Sequence, residues 1–424
     1  MRTTPKHAPV VEELKQLLND SSNAEMKNAL VISLTTASAN AKEKLNKELY
    51  KGLEAEFNQK AWPETVEQYY DYLDIYVKLV PNEAINEHYP DAWRSSNTKN
   101  GYNQKVYDLL CQFYYLVDQK NPVTNQTMQS FPKFAEWLEK FARSWGEFLD
   151  TEASFPPSSL KSFQENSMYN YDLYANHVDS WTTFNKFFYR EFNDAAPVTG
   201  ISPLRPIVAP NDNTIIASPA DCTYKMAYRI NEKGDVLGLD QKDTQVKLKH
   251  THTIESVSEL LNNSEYASYF NGGTFVHYFL GPFDYHRFHV PVSGQILNIA
   301  AVPGKVYLDV NMTSDGQFDA PDSSEGGYEF TQARGVVIMD AGGNVGKVAV
   351  IPIGMAQVSG VDMYTKLQGK SVVKGQEFGR FKFGGSDIIM LFEKSPEQLY
   401  MFKEDPGHNP IHFQYGQACI YVNS

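Results

Sequence analysis

Cysteine is scarce in this sequence, and neither a long apolar run nor an excess of basic charge is present. The three cysteines, Cys111, Cys222 and Cys419, are widely separated, so neither a disulfide framework nor a paired-cysteine metal site is indicated, and we expect reduced core residues. No window approaches the roughly 20 apolar residues that cross a bilayer, and the start of the chain lacks the basic-then-apolar pattern of a signal peptide. The sequence therefore predicts a cytoplasmic protein without an integral membrane segment.

The charge balance argues against a second class of function. Lys and Arg number 38 against 51 Asp and Glu, which gives a formal net charge of −13. Nucleic acids and anionic membrane surfaces attract clustered basic side chains, so we expect no nucleic-acid partner. Hydrophobic residues make up 42% of the 424 residues, which is ample for a globular core, and the length predicts two or three domains.

The apolar pattern changes along the chain. Between about Val10 and Asp150 apolar residues recur at spacings of three and four, as in VEELKQLL, KEKLNKELYKGLEAEF, VEQYYDYLDIYVKL and VYDLLCQFYYLV, which predicts helices. Beyond about Pro203, turn residues separate short runs rich in Val, Ile, Phe and Tyr, such as GTFVHYFL, GVVIMDA and GKVAVIPIG, which predicts strands. We therefore expect an α+β protein with a helical cap and connector over 1–185 and a β domain over 186–424.

A polar, glycine-rich stretch interrupts the strand half at residues 309–332. Its length is that of a mobile or functional loop, which could gate a site. Its acidic side chains could also attract Ca²⁺, because hard cations prefer clustered oxygens, although such runs are more often simply solvated. These acidic residues are Asp309, Asp315, Asp319, Asp322 and Glu325.

Four segments of the strand half carry the side chains best suited to chemistry. Each alone has a plainer interpretation, as a turn, a helix start or histidines satisfied within the core. The segments are SPADC at 218–222, FDYHRFHVPVSG at 283–294, VIPIGMAQVSG at 350–360 and KGQEFGRFKFGGSD at 374–387.

Two kinds of chemistry fit the polar residues of these segments. His286 and His289 are possible zinc or iron ligands, but no Cys or HExxH companion completes a metal site, and Pro291 opposes a helix that would align the pair. A nucleophile with its base fits better, because Ser386, His289 and Asp221 supply the three residue types of a Ser–His–Asp system. We therefore expect no metal at the site.

In their order along the chain, these segments resemble the phosphatidylserine decarboxylase family over about Phe187–Phe392. The match runs through FFYREF, SPADC, DYHRFHVPVSG, IPIG and KGQEFGRFKFGGS, and the joint occurrence of DYHRFHxP and KGxExGxFxFGGS is specific. The resemblance implies that the Ser386 hydroxyl attacks the Gly385 carbonyl to give an ester, and that β-elimination then breaks the chain. Ser386 becomes a pyruvoyl group, residues 1–385 and 386–424 stay associated, and no pyridoxal phosphate is required.

The resemblance also implies roles for the acidic and histidine residues. His289, oriented by Asp221, is the base for chain cleavage. His286 is the acid that reprotonates the substrate carbon, after the ketone has formed a Schiff base with the substrate amine and CO2 has left. The two histidines lie three residues apart, so these duties could be exchanged between them.

Four departures from the membrane enzymes of the family bear on the substrate. No apolar or basic amphipathic anchor is apparent near the N-terminus, and Gln-Ala-Arg at 332–334 replaces the usual Asn-Glu-Arg. Asp387 follows the processing serine where Thr is usual, and Cys222 follows Asp221 where Gly is usual. With its long helical half, the chain is similar to the pyruvoyl-type L-tryptophan decarboxylase of psilocybin biosynthesis. We therefore expect a free L-amino acid, aromatic such as L-tryptophan, as substrate; the alternative is phosphatidylserine, which would give phosphatidylethanolamine.

Two hairpin-like segments indicate the type of β domain. VPVSGQILNI and SVVKGQEFGRF resemble the glycine-centred strand pairs of lipoyl and biotinyl carrier domains, which implies a mainly antiparallel barrel-sandwich hybrid. This leaves a non-catalytic binding protein on the same fold as a further alternative. Neither segment has the Met-Lys-Met or Asp-Lys tip to which such cofactors attach. The sequence does not indicate an oligomeric state.

Overall fold

The computed structural model describes residues 6–84, 87–93, 104–238, 256–306, 308–320, 332–355 and 360–423. The chain divides into two compact units, each formed by several segments. The first unit comprises Met1–Tyr171, Trp181–Lys186 and Lys305–Pro321, and the second comprises Asp172–Ser180, Phe187–Gly304 and Asp322–Ser424.

Helices dominate the first unit, as the spacing of its apolar residues predicts. No described helix is both long and apolar enough to span a membrane. The described α-helices are α1 (Pro9–Asn19), α2 (Ala24–Lys44), α3 (Lys47–Glu56), α4 (Val66–Tyr76), α5 (Lys105–Val117), α6 (Pro132–Leu149), α7 (Pro157–Glu165), α8 (Phe184–Phe188) and α9 (Val257–Leu260).

The apolar pattern of KEKLNKELYKGLEAEF is shared between two helices. α2 ends at Lys44, and α3 begins at Lys47. The Asn46 side chain accepts hydrogen bonds from the backbone N–H groups of Glu48 and Leu49, at 2.9 and 3.3 Å, and so caps the second helix. A capping residue inside a continuous apolar pattern therefore marks the break.

Aromatic side chains fill the core where α4, α5 and α6 meet. The ring centroids of Tyr76 and Phe113 are 4.6 Å apart, and those of Phe113 and Phe141 are 5.3 Å apart. Trp145 meets Tyr76 edge-on at 5.1 Å, and its Nε1–H donates to the Leu79 carbonyl at 2.8 Å. These buried rings combine large apolar area with favourable ring geometry, which stabilises the helical unit.

Strands dominate the second unit, and two short strands belong to the first. The described strands are β1 (Ile215–Ala217), β2 (Cys222–Ile230), β3 (Val236–Gly238), β4 (Thr274–Leu280), β5 (Arg287–His289), β6 (Gly294–Val302), β7 (Asn311–Met312), β8 (Phe318–Asp319), β9 (Ala333–Asp340), β10 (Lys347–Met355), β11 (Val361–Met363), β12 (Ser371–Val372), β13 (Glu377–Phe381), β14 (Gly385–Phe392), β15 (Leu399–Met401), β16 (His412–Phe413) and β17 (Ala418–Val422).

The largest sheet is antiparallel and has nine strands. Its path is β12-β6-β9-β10-β14-β4-β2-β16, with β3 paired to β2. Two three-stranded sheets, β1-β17-β15 and β11-β13-β5, complete the unit. The predicted α+β class with a mainly antiparallel β domain is confirmed. Among the described strands the sheet remains open and does not close into a barrel. The central strands are buried on both faces, which explains their continuous apolar runs.

The first part of the predicted polar insertion forms the β7–β8 hairpin within the helical unit. The Gly316 carbonyl accepts from the backbone N–H of Asn46 at 2.8 Å, and the Tyr107 hydroxyl accepts from the backbone N–H of Ala320 at 2.9 Å. Asp315 accepts a hydrogen bond from the Thr313 hydroxyl at 2.6 Å. Residues 321–331, with Asp322 and Glu325 of the predicted cation loop, lie outside the described residues, so the gating and Ca²⁺ hypotheses remain predictions.

Candidate active site

Two of the predicted residues, Ser386 and Asp221, lie at strand ends on the same side of the large sheet, whereas His289 belongs to β5 of a separate sheet and His286 immediately precedes β5. In the order β14-β4-β2, β14 begins at Gly385, β4 ends at Leu280 and β2 begins at Cys222. Ser386 pairs directly with Leu280, and Asp221 immediately precedes β2. The antiparallel pairing therefore places Ser386, near the start of β14, and Asp221, just before β2, on the same side of the sheet. The two residues are 165 positions apart in the sequence.

Ser386 is fully buried, and its Oγ has no hydrogen-bond partner among the described residues. An unpaired buried hydroxyl is unfavourable by about 1–3 kcal/mol, so such a group marks a reactive or strained position. Gly384 has a φ of 151°, which side chains with a Cβ rarely adopt, so the turn into β14 requires glycine there. The serine hydroxyl is thus held in a site that leaves its lone pairs and proton uncommitted.

His286 lies against the end of β4 as a neutral imidazole. Its Nε2 is 3.3 Å from the carbonyl of Pro282, two residues after Leu280; because a carbonyl only accepts, Nε2 carries the proton. Its Nδ1 has no hydrogen-bond partner among the described residues. Burial, with a smaller effect from the positive charge of Arg190, lowers the pKa of His286 to about 3. The ring stacks on Phe188 with centroids 3.7 Å apart.

His289 is also buried and neutral, and both of its ring nitrogens are engaged. Nδ1 donates to the Gly375 carbonyl at 2.7 Å, which leaves Nε2 to accept from the Tyr285 hydroxyl at 3.2 Å. The ring stacks on Tyr415 with centroids 3.9 Å apart. Burial lowers the pKa of His289 to about 4, although the charge of Glu377 opposes this shift. The ring therefore has a fixed tautomer with its lone pair on Nε2.

Asp221 is a neighbour of His289, but their side chains share no hydrogen bond in the described structure. The Asp221 carboxylate accepts from the Arg205 guanidinium at 3.2 Å and from the backbone N–H of Tyr415 at 2.8 Å. The backbone N–H of His289 donates to the Pro219 carbonyl at 2.7 Å. Asp221 thus supports the Tyr415 backbone whose ring covers His289, and the direct orienting role stays a prediction.

The turn before β13 fixes the carbonyl that orients His289. Gly375 has a φ of 84°, and a Cβ there would lie 2.5 Å from a side-chain carbon of Ile207. The neighbouring Lys374 is almost fully buried, and its Nζ donates to three backbone carbonyls at 2.6–2.8 Å. The ammonium group therefore ties this turn to the loop before β1. The three acceptors are Ala209, Asp212 and Ile215.

Two acidic residues at this edge have histidine partners that the sequence reasoning missed. Asp284 lies 2.9 Å from His412 Nε2 and accepts from the backbone N–H of Gly281 at 2.7 Å. Burial raises the pKa of Asp284, while the hydrogen bond that His412 donates to the Asp284 carboxylate raises the pKa of His412. Asp284 is part of the DYHRFH segment, but no motif surrounds His412.

The second missed pair lies immediately after the predicted cleavage position. His277 Nε2 is 3.2 Å from Asp387 Oδ2, and both side chains are fully buried. His277 belongs to β4 and Asp387 to β14, so the contact joins adjacent strands. Two features of the sequence could have indicated this pair. They are the single histidine within the apolar strand GTFVHYFL and the unusual Asp387.

Arg334, which the Gln-Ala-Arg segment shares with the usual Asn-Glu-Arg, and Cys222, which departs from the usual Gly, have packing roles in this structure. Arg334 donates to the carbonyls of Leu260 and Glu259, at 2.7 and 2.8 Å, and so caps the C-terminal end of α9. Cys222 is buried, with its sulfur 3.4 Å from the Ser218 hydroxyl. All three cysteines are buried and free, as predicted.

Comparisons with known proteins identify relatives of the strand half. Residues 184–420 match the family model described as phosphatidylserine decarboxylase, which is more than half of the chain and includes the site. A phosphatidylserine decarboxylase proenzyme of Fusobacterium nucleatum is 30% identical over 258 residues, covering 60% of this chain and 74% of that protein. Phosphatidylserine decarboxylase proenzyme 2 of Oryza sativa subsp. japonica is 32% identical over 238 residues, covering 56% of this chain but only 33% of that protein.

A further relative has a different name. Decarboxylase iboD of Amanita muscaria is 28% identical over 306 residues, which cover 65% of this chain and 80% of that protein. Its alignment extends over more of this chain than the alignments with the Fusobacterium and rice proteins.

Proposed function

The chain belongs to the phosphatidylserine decarboxylase family, and we propose that it is a self-processing, pyruvoyl-dependent decarboxylase of a free L-amino acid, aromatic such as L-tryptophan. The products are the corresponding amine and CO2. The observation that carries this proposal is the buried Ser386, whose Oγ has no partner among the described residues, at the sheet edge that also holds the neutral His286 and the predicted Asp221.

Processing begins when the Ser386 hydroxyl attacks the Gly385 carbonyl. His289 accepts the hydroxyl proton at Nε2, in place of the hydrogen bond from Tyr285, the Gly385–Ser386 C–N bond breaks, and the freed nitrogen is protonated, which leaves an ester. Removal of the Ser386 Cα proton then expels the Gly385 carboxylate. Hydrolysis of the remaining enamine releases ammonia and leaves a ketone at position 386. A neutral imidazole is required for the first step, and the lowered pKa of His289 provides one.

The site suits the ketone that this processing produces. When present, the ketone holds the substrate amine and accepts the electron pair released as CO2 leaves. His286 keeps its Nε2 proton on the Pro282 carbonyl and has a lone pair on Nδ1 without a partner among the described residues, so it can take up a proton at Nδ1 and pass that proton to the substrate carbon. Phe188 stacks on His286 and meets Phe383 edge-on at 5.2 Å, so apolar rings line one face of this imidazole. An aromatic substrate side chain matches such a lining.

We further propose that residues 186–424 form the catalytic domain and that the helical residues 1–185 act as a cap. After cleavage, residues 386–424 include β14, which is paired along its length with β10 on one side and β4 on the other. Two hydrogen-bonded ladders therefore keep the fragments 1–385 and 386–424 associated.

Phosphatidylserine is the second candidate substrate, and the family description and the names of the rice and Fusobacterium relatives favour it. One observation favours the free amino acid. The Amanita relative, which aligns over 65% of this chain, is named a decarboxylase without reference to a phospholipid.

The test compares the purified protein with Ser386→Ala and with Ser371→Ala, which removes an exposed serine hydroxyl outside the site. Each protein is incubated with L-tryptophan, other L-amino acids and phosphatidylserine vesicles while CO2 and amine are measured. We expect cleavage and tryptamine from the unaltered protein and from Ser371→Ala, and neither from Ser386→Ala. Activity in Ser386→Ala contradicts the mechanism, and turnover of phosphatidylserine alone establishes the second candidate.

A further inference from the structure

We infer that the buried His277–Asp387 pair is a positioning device that holds the serine-derived end of the small chain against β4 during and after processing. This inference rests on the proposed function, because it concerns the chain end that cleavage creates. The side chains are both fully buried, with His277 Nε2 3.2 Å from Asp387 Oδ2. His277 belongs to the predicted fragment 1–385 and Asp387 to the fragment 386–424, so the contact spans the two products.

The His277–Asp387 pair lies next to the new chain end, where it can hold that end in a way that the backbone hydrogen bonds of β14 alone do not. β14 begins at Gly385, so cleavage leaves Ser386 as the first residue of a strand that lies between β10 and β4. Ends of secondary structure fray, and a new terminus has lost its covalent anchor on one side. Asp387 is the next residue, and the peptide group between positions 386 and 387 carries the reacting carbon. A fixed Asp387 side chain therefore limits the movement of that carbon.

The register explains why this contact is specific to one alignment of the strands. His277 lies directly opposite Ile389, and Asp387 lies opposite Phe279, so His277 and Asp387 are diagonal neighbours on one face. The Ser386 side chain projects from the other face, because successive strand residues alternate. A slip by one residue would turn Asp387 away from His277 and turn Ser386 onto the opposite face. The pair thus couples the alignment of β14 to the presentation of Ser386.

The chemistry of the pair favours positioning over stabilisation. A buried charged or polar pair carries a large desolvation penalty, and apolar side chains of suitable shape often replace such a pair without loss of stability. Known uses of buried polar contacts include the specification of register. The centre of this sheet is otherwise made of apolar residues such as Ile388, Ile389 and Met390, which would pack without any polar contact.

Misplacement of the chain end should change the fate of the ester. In the aligned site, elimination followed by hydrolysis of the enamine gives the ketone and ammonia. If water attacks the ester first, the Gly385 carboxylate and the Ser386 hydroxyl are regenerated, and the small chain starts with a free serine. The ketone chain is lighter than the free-serine chain by one ammonia, because elimination removes the serine side-chain oxygen and hydrolysis then exchanges the amino nitrogen for the ketone oxygen, and intact mass spectrometry separates the two. This readout does not depend on catalytic activity.

The experiment compares Asp387→Val, Asp387→Asn and the double variant His277→Val/Asp387→Val with the unaltered protein. Ile389→Val, directly opposite His277, is the matched control, because it removes a buried methyl group from the same face and leaves the pair intact. For each protein we measure the ketone fraction of the small chain, kcat per ketone, KM and the melting temperature. The double variant also keeps the test valid if Asp387→Val alone fails to fold.

We expect Asp387→Val to shift the small chain toward free serine and to lower kcat per ketone by about 10- to 100-fold with little change in KM, because misplacement of reacting atoms mainly affects the chemical step. Asp387→Asn retains an oxygen that faces His277 and restores most of the ketone fraction. In the double variant we expect the melting temperature to return from that of Asp387→Val to that of the unaltered protein. We expect the ketone fraction and kcat per ketone of the double variant to stay low.

Two results overturn the inference. One is a ketone fraction and a kcat per ketone in Asp387→Val and the double variant that equal those of Ile389→Val. The other is a recovery of both quantities in the double variant together with its melting temperature, which indicates a purely structural role. In either case cleavage of the unaltered protein leaves the proposed function standing. An unaltered protein that stays in one piece refutes both.

Discussion

Acidification should destabilise this protein through its two buried histidines. The pKa values of His286 and His289 fall from 6.5 to about 3 and about 4, mainly because burial disfavours the charged imidazole. Between these values and 6.5 the unfolded chain binds protons that the folded chain does not. The stabilising contribution of the neutral rings is therefore complete above 6.5 and is lost as the pH falls below that value.

The size of the effect follows from the same pKa values. Lowering the pH from 7 to 5 protonates each imidazole almost completely in the unfolded chain and only slightly in the folded chain. This favours unfolding by about 2 kcal/mol for each histidine, or about 4 kcal/mol for His286 and His289 together. Other groups titrate in the same interval, and Glu83, whose pKa burial raises to about 8, acts in the opposite direction.

Urea unfolding at pH 7 and pH 5 isolates the two histidines when variants are compared. Ser386→Ala serves as the background, because it should keep the chain in one piece. Replacing His286 or His289 by Gln should reduce the acid-induced loss in free energy of unfolding by about 2 kcal/mol each, since Glu83 contributes equally to every protein. The control is His408→Gln, which alters an exposed side chain. An unchanged acid-induced loss in both Gln variants refutes the reasoning.

Three further outcomes concern local supports of the site. Lys374→Met should lower the free energy of unfolding by about 2–4 kcal/mol, because three buried carbonyls lose their donor; a change no larger than that of exposed Lys370→Met contradicts this. Gly384→Ala should slow the appearance of cleaved chain on denaturing gels, because its φ of 151° would add about 1–3 kcal/mol of strain, whereas Gly360→Ala should not. Arg334→Met should lower the melting temperature without changing the amine product, since its guanidinium binds the end of α9; an altered product would assign it a substrate contact.

Most of the fold followed from local patterns in the sequence. The apolar runs GTFVHYFL, GVVIMDA and GKVAVIPIG correspond to β4, β9 and β10. Strands that are buried on both faces carry such continuous apolar runs. The helical half also agreed, except that Asn46 divides one predicted pattern between α2 and α3. The affiliation of the β7–β8 hairpin with the helical unit was not predictable, since it depends on backbone contacts such as that between Asn46 and Gly316.

The sequence indicated candidate residues for the site, but it did not indicate which side chains and backbone groups those residues contact. Ser386 and Asp221 lie at strand ends on the same side of the large sheet, and their roles remain predictions. The partners of Asp221, however, are Arg205 and the backbone of Tyr415, which no spacing rule connects to it. The contact between His277 and Asp387 likewise depends on the register of β4 against β14. Register is a property of the assembled sheet, so residue type alone could not supply these pairs.

Intact mass spectrometry of the purified, denatured protein tests the central claim most directly. The account predicts two chains, residues 1–385 and 386–424, with a ketone in place of the α-amino group at the start of the second. In Ser386→Ala the same measurement should give one chain of all 424 residues. A single unbroken chain in the unaltered protein would contradict self-processing and would favour a binding protein built on a decarboxylase fold.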